Sequence, residues 1–419
     1  MTPKPQAPPR ADDQRQARGP RPDRGLDPAH SHRAALEALI GRAIDETGGW
    51  LSFDRFMELA LFAPGLGYYV AGAAKFGPEG DFVTAPEISP LFARCLATAC
   101  REVLGPLGRG DILELGAGTG VLAAELLASL AANGPLPDRY LILEPSPDLA
   151  ERQRTTIARR VPEHLERCHW LSRLPESFDG VVLANEVLDA MPVSRFRIAQ
   201  TGAVEEIGVV RCAHGFAEAP APASPALQTA VEALQARGIA TEPGYGSEVN
   251  LRLAPWTRAI AGVLENGLLL VIDYGYPRAE YYHAERSRGT LMCHTRHQAH
   301  DDPYRDIGLQ DITAHVDFTA LAEAARDAGL ELAGYTTQSN FLIGCGIDAL
   351  IAEAAGDDPI KMLDLSAGAK TLLLPSRMGE RFQVMGLSRG LGGAAPLGGF
   401  AVRDLRERLG LPESGDQRR

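Results

Sequence analysis

The chain has 419 residues, of which 45% are apolar, 23% charged and 6% aromatic. This composition predicts a soluble globular protein of one large or two ordinary domains, and it excludes disordered, collagen-like and membrane-embedded chains. Lys and Arg number 42 against 54 Asp and Glu, so the net charge is −12. Because phosphate contacts need a basic surface, this balance argues against a nucleic-acid-binding protein.

The cysteines and the apolar runs indicate the cellular compartment of the protein. The six cysteines are scattered and form no CxxC pair, which indicates reduced thiols rather than a disulfide framework. No early segment resembles a signal peptide, and the longest strongly apolar run, residues 268–272, is too short to span a bilayer. We therefore expect a cytoplasmic protein with no membrane insertion.

The N-terminal quarter divides into two parts. Residues 1–30 are rich in Pro, Arg, Asp and Gln and cannot bury enough apolar surface to offset their ordering entropy, so we expect a disordered tail. Apolar residues with helical spacing predict two short helices between residues 36 and 60 and a further helix over 90–104, capped by Ser89. We assign residues 31–105 to an N-terminal helical cap that includes a glycine-rich loop.

From residue 106 onward, short apolar strands alternate with helical segments. One strand runs into a glycine turn after Leu115, the next ends at Glu144, a third ends near Asn185, and a fourth covers 267–272. This alternation predicts an α/β fold with a mostly parallel, Rossmann-like sheet over residues 106–400. Residues 401–419 are predicted to be a C-terminal tail.

Two long segments interrupt the alternation. Roughly 80 residues separate the third and fourth strands, more than one crossover helix requires. Two runs of alternating apolar and polar residues flank Thr201, Gly202 and Ala203. They predict a β-hairpin within an insertion at about 194–247. The second segment, residues 275–315, is irregular and rich in His, as is typical of a lid or a binding loop.

The glycine turn is the first candidate binding site. Glu114 opens the pattern ExGxGxG, whose glycines are Gly116, Gly118 and Gly120. A dinucleotide site would need Gly or Ala at position 121, which is Val. The pattern instead resembles motif I of S-adenosylmethionine-dependent methyltransferases; a dinucleotide site and a purely geometric glycine turn are the alternatives. Glu144 is placed to accept hydrogen bonds from both ribose hydroxyls of such a ligand.

A second candidate site follows the third strand. Asn185, Glu186 and Asp189 would lie beside the donor methyl group, because ligands of open α/β sheets bind beyond the carboxyl ends of the strands. Paired carboxylates can clamp a planar guanidinium and orient it for transfer. The alternative is that Glu186 and Asp189 are helix N-terminal residues favoured by the helix dipole.

A series of motifs extends this interpretation over roughly residues 35–390. In chain order they are GLGYYV, GDFVTAPEIS, ELGAGTG, LEPS, LANEVLDAMPVSRF, LLVIDYGY, GTLMCHTRHQAHDDP and DITAHVDF. The sequence thereby resembles the MidA-type proteins, the family of the mitochondrial complex I assembly methyltransferase. The resemblance implies a class I methyltransferase fold with a seven-stranded sheet, S-adenosylmethionine as cofactor, no metal, and methylation of an arginine in a core subunit of respiratory complex I.

The resemblance also implies roles for individual residues. Those implied to hold the cofactor are Glu114, Gly116, Gly118, Gly120 and Glu144. Those implied to form a loop over the cofactor are Asp81, Thr84, Pro86 and Glu87. Asn185, Glu186 and Asp189 are implied to face the acceptor. One departure is Val187-Leu188, where many members of the family have an aromatic pair. A small-molecule methyltransferase and a non-catalytic assembly factor are the alternative functions.

Several other residues admit two interpretations. His294, His297 and His300 are spaced by three residues, which is no defined metal pattern, and they belong either to a substrate lid or to an ordinary polar loop. Trp170 either stacks on adenine or packs in the core. Asp273, at the end of the fourth strand, either lines the acceptor cleft or holds a turn.

Overall fold

The computed structural model describes residues 28–70, 84–295, 298–391 and 397–412. The predicted disordered tail lies outside the described residues up to position 27, and a helix begins at Pro28, inside the segment assigned to that tail. All six cysteines are free, and five of them are buried. No helix within the described ranges is both long and apolar enough to cross a bilayer.

The described residues form helices and strands that alternate along most of the chain. The helices are α1 (Pro28–Glu46), α2 (Phe53–Phe62), α3 (Ala85–Ile88), α4 (Pro90–Leu107), α5 (Val121–Asn133), α6 (Pro147–Arg160), α7 (Pro225–Gln235), α8 (Leu253–Val263), α9 (Arg278–Tyr281), α10 (Phe318–Asp327), α11 (Gln338–Gly344), α12 (Ile347–Ala355) and α13 (Pro359–Leu373). The strands are β1 (Leu51–Ser52), β2 (Asp111–Leu115), β3 (Tyr140–Leu143), β4 (Cys168–Leu171), β5 (Phe178–Asn185), β6 (Ser194–Ile198), β7 (Val204–Cys212), β8 (Gly215–Pro222), β9 (Gly246–Val249), β10 (Leu264–Tyr276), β11 (Met292–Thr295), β12 (Gln298–His300), β13 (Asp311–Thr313), β14 (Val316–Asp317), β15 (Glu331–Thr337) and β16 (Phe382–Arg389).

A mostly parallel sheet forms the centre of the fold. Its strand order is β15-β16-β10-β5-β2-β3-β4, and β14 adds a short pair to β10. Neighbouring strands from β10 to β4 run parallel, whereas β16 is antiparallel to both of its neighbours. Strands β2, β5 and β10 are buried almost throughout because helices cover both faces of the sheet. The predicted Rossmann-like α/β fold with a seven-stranded sheet is confirmed.

Helices on the two faces of this sheet bury two separate apolar clusters. In β2, the successive residues Ile112 and Leu113 belong to different clusters, as the alternation of side chains along a strand requires. Helices α4 and α5 pack on the face of Ile112, and α8 and α10 pack on the face of Leu113. The assignment of residues 31–105 to an N-terminal cap is therefore wrong for α4, because Leu96 and Cys100 are buried against the central sheet.

The remaining cap helices pack elsewhere. Ile40 of α1 and Phe56 of α2 form a third cluster with Val209 of β7 and Ile312 of β13. Helices α1 and α2 thus dock on the two segments that interrupt the alternation of strands and helices. The cap and these two segments share one apolar core, separate from the cores of the central sheet.

The first inserted segment is a sheet rather than a hairpin. The predicted hairpin is present as β6 and β7, but β9 extends it on one side and β1 and β8 also pair with β7. The Pro- and Ala-rich sequence that follows the hairpin forms β8, with Pro220 and Pro222 in the strand. Proline is tolerated there because β8 is an edge strand that pairs only with β7 in the described part of the chain.

The second inserted segment also contains regular structure. The residues predicted to be irregular, 275–315, include α9 and a small antiparallel sheet in the order β12-β11-β13. The Ala314 N–H donates to the carbonyl oxygen of Asp189 at 2.9 Å. This hydrogen bond attaches the small sheet to the loop that follows β5.

The described end of the chain is packed against the core. Residues 406–409 form a 3-10 helix, and Leu405 and Leu409 are buried in the same cluster as Leu113. The Leu405 N–H donates to the carbonyl oxygen of Tyr335, and the Thr319 hydroxyl donates to the carbonyl oxygen of Leu409. The prediction of a tail from residue 401 is therefore wrong up to residue 412, because regularly placed leucines fill a gap beside β15 and α10.

Leu409→Ala is expected to lower the free energy of unfolding by about 2–4 kcal/mol, because it removes a side chain that is 2% exposed and leaves a cavity. Val402→Ala is the control, since Val402 is 52% exposed and its change should stay within about 0.5 kcal/mol. Urea unfolding of both variants measures the difference. Equal stabilities would show that the leucine packing does not contribute to the fold.

Candidate active site

A cavity of about 560 Å³ opens at the carboxyl ends of β2, β3, β5 and β10. This is the edge at which ligands of open α/β sheets bind. Both groups of sequence-predicted residues contribute to its wall. The predicted residues that line it are Thr84, Pro86, Glu87, Glu114, Gly116, Gly118, Glu144, Asn185, Glu186 and Asp189. Asp81 lies outside the described residues.

The glycine turn after β2 exposes backbone to the cavity. Gly116 and Gly118 have φ values of +64° and +52°, a left-handed conformation that glycine adopts without strain. A Cβ at Gly118 would meet no heavy atom of the described residues within 4 Å, so it would project into the cavity. A Cβ at Gly116 would lie 3.5 Å from Cγ2 of Val187, at ordinary contact distance. The turn therefore leaves room for a ligand directly against Gly118.

Gly120 has a different role from its two neighbours. It does not line the cavity, and a Cβ at this position would lie 3.0 Å from Cα of Gln153. The glycine thus allows α5 to begin close against α6, with φ at +80°. The structure places Gly120 in helix packing rather than in contact with a cofactor.

Glu144 is held in a fixed orientation at the end of β3. Its Oε1 accepts the Ser146 N–H and its Oε2 accepts an N–H of the Gln153 side chain, both at 2.9 Å. Burial raises the pKa of Glu144, and these two hydrogen bonds oppose the rise. Trp170 donates from its indole N–H to Gln153 at 2.9 Å and does not line the cavity, so it orients this network instead of stacking on a ligand.

Glu114 is the buried acid at the base of the glycine turn. It is 3% exposed, and the Tyr140 hydroxyl donates to its Oε2 at 2.7 Å. Burial raises the pKa of Glu114 to about 7, although the hydrogen bond from Tyr140 opposes this. The hydrogen bond thus ties Glu114, near the end of β2, to the neighbouring strand β3.

A short helix forms part of the cavity wall. Helix α3 follows Thr84 and contains Pro86 and Glu87. The Thr119 hydroxyl donates to Oε1 of Glu87 at 3.1 Å, which links this helix to the glycine turn. Thr84, Pro86 and Glu87 therefore line the cavity next to the glycine turn.

Glu186 begins the loop after β5 in an uncommon backbone conformation. Its φ of +53° lies in the left-handed region, which non-glycine residues rarely adopt. The Asn185 side-chain N–H donates to its Oε1 at 3.2 Å. Burial, followed by the charge of Asp273, raises the pKa of Glu186 to about 8, while hydrogen bonds from Asn185 and from the Ala85 backbone oppose the rise.

Asp189 and Asn185 present unused acceptor atoms. Oδ1 of each is buried and has no hydrogen-bond partner within the described part of the protein. Burial, with the charges of Asp273, Asp311 and Glu186, raises the pKa of Asp189 well above its usual range. Buried polar atoms are nearly always satisfied in folded proteins, so these oxygens are suited to accept hydrogen bonds from a bound ligand.

Asp273 lies behind this loop and is fully buried. Its Oδ2 accepts the backbone N–H groups of Val187, Leu188 and Asp189 at 3.2, 2.9 and 3.2 Å. Of the two interpretations of Asp273, the structure supports the turn-holding one, because the side chain does not line the cavity.

Two residues of the acceptor side were not predicted from the sequence. Asp311 of β13 lines the cavity, and the Tyr69 hydroxyl lies 2.9 and 2.8 Å from its two carboxylate oxygens. Tyr274 and His294 also line this region, whereas His297 lies outside the described residues. The quoted motifs GLGYYV and DITAHVDF contain Tyr69 and Asp311, but only the docking of α2 and β13 brings the two together.

The acceptor side concentrates buried carboxyl groups, and burial together with their mutual repulsion raises the pKa of Glu186 and of Asp189. Glu186, Asp189 and Asp273 form no ion pair with any Arg or Lys among residues 28–70, 84–295, 298–391 and 397–412. Buried carboxylates without cations are costly unless a ligand supplies the compensating charge. The cavity therefore fits cationic ligands.

The residues around the cavity also fit the cofactor that the motifs imply. Open space against Gly118 accommodates a ligand lying on the backbone, and Glu144 offers fixed carboxylate oxygens at the neighbouring strand end. The carboxylates beyond β5 favour a sulfonium, which carries a positive charge.

Comparisons with known proteins agree with this geometry. A family model for S-adenosyl-L-methionine-dependent methyltransferases matches residues 91–336. Protein arginine methyltransferase NDUFAF7 of Danio rerio is 28% identical over 387 residues, covering 84% of this chain and 86% of that protein. The Homo sapiens NDUFAF7 is 27% identical over 404 residues, covering 87% and 85%.

A solved structure extends the comparison. A Burkholderia thailandensis protein crystallised with S-adenosyl-homocysteine is 43% identical to this chain, with a TM-score of 0.85 and coverage of 94% of this chain and 100% of that one. The family model decides between the nucleotide classes considered for the glycine turn, in favour of S-adenosylmethionine over a dinucleotide. The chain belongs to the MidA-type family of S-adenosylmethionine-dependent methyltransferases.

Proposed function

We propose that the protein transfers a methyl group from S-adenosylmethionine to an arginine side chain of another protein. The observation that carries this proposal is the acidic end of the cavity, where Glu186 and Asp189 lie next to the glycine turn and form no ion pair within the described chain. Arg252, which also lines the cavity, is paired with Asp54 and Glu58. A guanidinium offers five N–H donors in a planar fork, which matches several carboxylate oxygens better than a compact ammonium does. The relatives named above are protein arginine methyltransferases, which also supports this choice of acceptor.

The side chains at the acidic end have two tasks in this reaction. When bound, S-adenosylmethionine supplies the methyl group as part of a sulfonium. Glu186 and Asp189 hold the guanidinium so that one nitrogen faces that methyl group, and orientation of this kind accounts for much of the acceleration of a displacement reaction. The nitrogen that gains the methyl group loses a proton, and a buried carboxylate whose pKa is raised, such as Glu186, is suited to accept it.

The resemblance of the motifs to MidA-type proteins suggests which protein carries the arginine. We propose a core subunit of respiratory complex I. The support for this subunit is the family to which the chain belongs.

Methyl transfer to a synthetic peptide tests this function. The peptide carries one arginine in the sequence context of a complex I core subunit, and the control peptide has lysine at that position. Incubation with S-adenosylmethionine labelled in the methyl group is expected to label the arginine peptide only. Mass spectrometry then assigns the label to the guanidinium.

Three results would contradict the proposal. Equal labelling of the lysine peptide would show that the pocket does not select a guanidinium, and exclusive labelling of small metabolites would favour a small-molecule methyltransferase. Tight binding of cofactor and peptide without any transfer would favour a non-catalytic assembly factor.

A further inference from the structure

We propose that Asp273 is a positioning residue that fixes the loop after β5, so that Glu186 and Asp189 face the acceptor. This inference rests on the proposed function, because it concerns the same acidic end of the cavity. Asp273 itself is fully buried and does not line the cavity, so its influence on the acceptor is exerted through the two other carboxylates.

The hydrogen bonds of Asp273 cover the whole start of the loop. Three consecutive backbone N–H groups, those of Val187, Leu188 and Asp189, converge on its Oδ2. Its Oδ1 accepts the Tyr274 N–H at 2.8 Å. Three successive N–H groups can point to one oxygen only when the backbone curls around that oxygen. The carboxylate therefore dictates the path of the chain between Glu186 and Asp189.

The conformation of Glu186 shows that this path is imposed on the loop. Glu186 is one of three non-glycine residues with positive φ in the described part of the chain. Its N–H donates to the carbonyl oxygen of Ile272 at 2.9 Å, the residue directly before Asp273. Uncommon backbone conformations persist where the surrounding structure overdetermines them. The end of β10 thus holds both the backbone of Glu186 and the three residues that follow it.

Asp273 also acts on Glu186 through its charge when it is ionised; burial raises the pKa of Asp273 to about 7, and the backbone N–H groups that it accepts oppose the rise. After burial, the charge of Asp273 is the largest influence that raises the pKa of Glu186. Removal of this charge while the hydrogen bonds are kept should let Glu186 ionise at lower pH. Within the described chain, the titratable groups that face Glu186 or line this region with it are Asp189, Asp273, Asp311, Tyr69, Tyr274 and His294.

Two substitutions separate the anchoring from the charge. Asp273→Ala removes both, whereas Asp273→Asn removes the charge and the acceptor for the Tyr274 N–H but keeps an oxygen that can accept the three N–H groups. Glu206→Gln is the matched control, because Glu206 is also a buried carboxylate that accepts a backbone N–H, that of Ser224 at 2.8 Å. It belongs to the inserted sheet and does not line the cavity. The full-length protein is used throughout.

Hydrogen exchange tests the anchoring without any acceptor. In Asp273→Ala, the amides of residues 187–189 lose their hydrogen-bond acceptor. They are therefore expected to exchange faster by about tenfold or more, because no hydrogen bond has to break before exchange. The affinity for S-adenosylmethionine, measured by calorimetry, should stay within about threefold, and KM for the arginine peptide should rise by about tenfold or more. Unchanged exchange, or a parallel loss of cofactor affinity, would overturn the positioning role.

Titration tests the charge. With ¹³C-labelled glutamate, the Glu186 carboxyl is expected to titrate at lower pH in Asp273→Asn than in the wild type, and the rise of kcat/KM with pH should move in the same direction. Glu206→Gln should leave both curves in place, and a purely structural role of Asp273 would lower activity without moving them. An unmoved Glu186 titration would overturn the inference.

The two proposals can fail separately. If the wild-type protein labels no arginine peptide, the proposed function fails. The exchange and titration experiments, which need no acceptor, still decide whether Asp273 fixes the loop and tunes Glu186.

Discussion

Gly118→Val is expected to abolish the binding of S-adenosylmethionine. The new side chain would occupy the space against the turn, where a Cβ meets no atom of the described residues within 4 Å. The left-handed backbone at this position would add roughly 1–2 kcal/mol of strain, and the steric conflict with a bound ligand would come on top of it. Calorimetry should find the affinity lowered by at least about a hundredfold, which corresponds to roughly 3 kcal/mol.

Gly202→Val provides the control for backbone strain. Gly202 lies in the turn between β6 and β7 with φ at +83°, and a Cβ there also meets nothing within 4 Å. This variant should show a similar loss of thermal stability but an unchanged affinity for the cofactor. If Gly118→Val binds S-adenosylmethionine as the wild type does, the cofactor does not lie against this turn.

Glu186→Gln is expected to keep the cofactor bound and to lower methyl transfer strongly. The amide retains the shape of the side chain but loses the charge that holds the guanidinium, and it cannot accept the released proton. A hydrogen bond to a charged group contributes about 1.5–3 kcal/mol, so kcat/KM should fall by roughly 10- to 100-fold. The peptide assay and calorimetry, run on the same preparation, measure the two quantities.

Asp189→Asn should act in the same direction as Glu186→Gln, because its Oδ1 is one of the unused acceptor atoms. Glu206→Gln again serves as the control and should keep full activity, since it neutralises a buried carboxylate outside the cavity. Full turnover by Glu186→Gln would contradict the assignment of the acidic end to a guanidinium.

The cofactor side of the cavity could be predicted because its residues are close together in the sequence. Gly116 and Gly118 follow β2 directly, and Glu144 follows β3, so strand ends and local spacing are enough to place them. The apolar runs of β2, β5 and β10 likewise carry a strong signal, since both faces of these strands are buried. Gly120 shares the motif but not the cavity, because spacing alone does not distinguish packing against α6 from contact with a ligand.

The acceptor side could be predicted only in part. Glu186 and Asp189 follow a recognisable strand, whereas Asp311 and Tyr69 reach the cavity through contacts between distant segments. The number of strands that pair around β7 could not be predicted from the sequence for the same reason. The pairing of β1 with β7 joins residues more than 150 positions apart. Side-chain periodicity reports the face of an element, but it does not report which distant element covers that face.

Part of the acceptor wall thus has a different origin along the chain from the rest of the cavity, and this has a consequence for how the enzyme can change. Motif I and Glu144 form one continuous stretch, while Asp311 belongs to a segment that packs on the fold from outside the central sheet. Replacement of that segment would alter the wall that meets the acceptor and would leave the methyl donor site intact. New acceptors could therefore be acquired by exchanging one surface module, without evolving a new donor site.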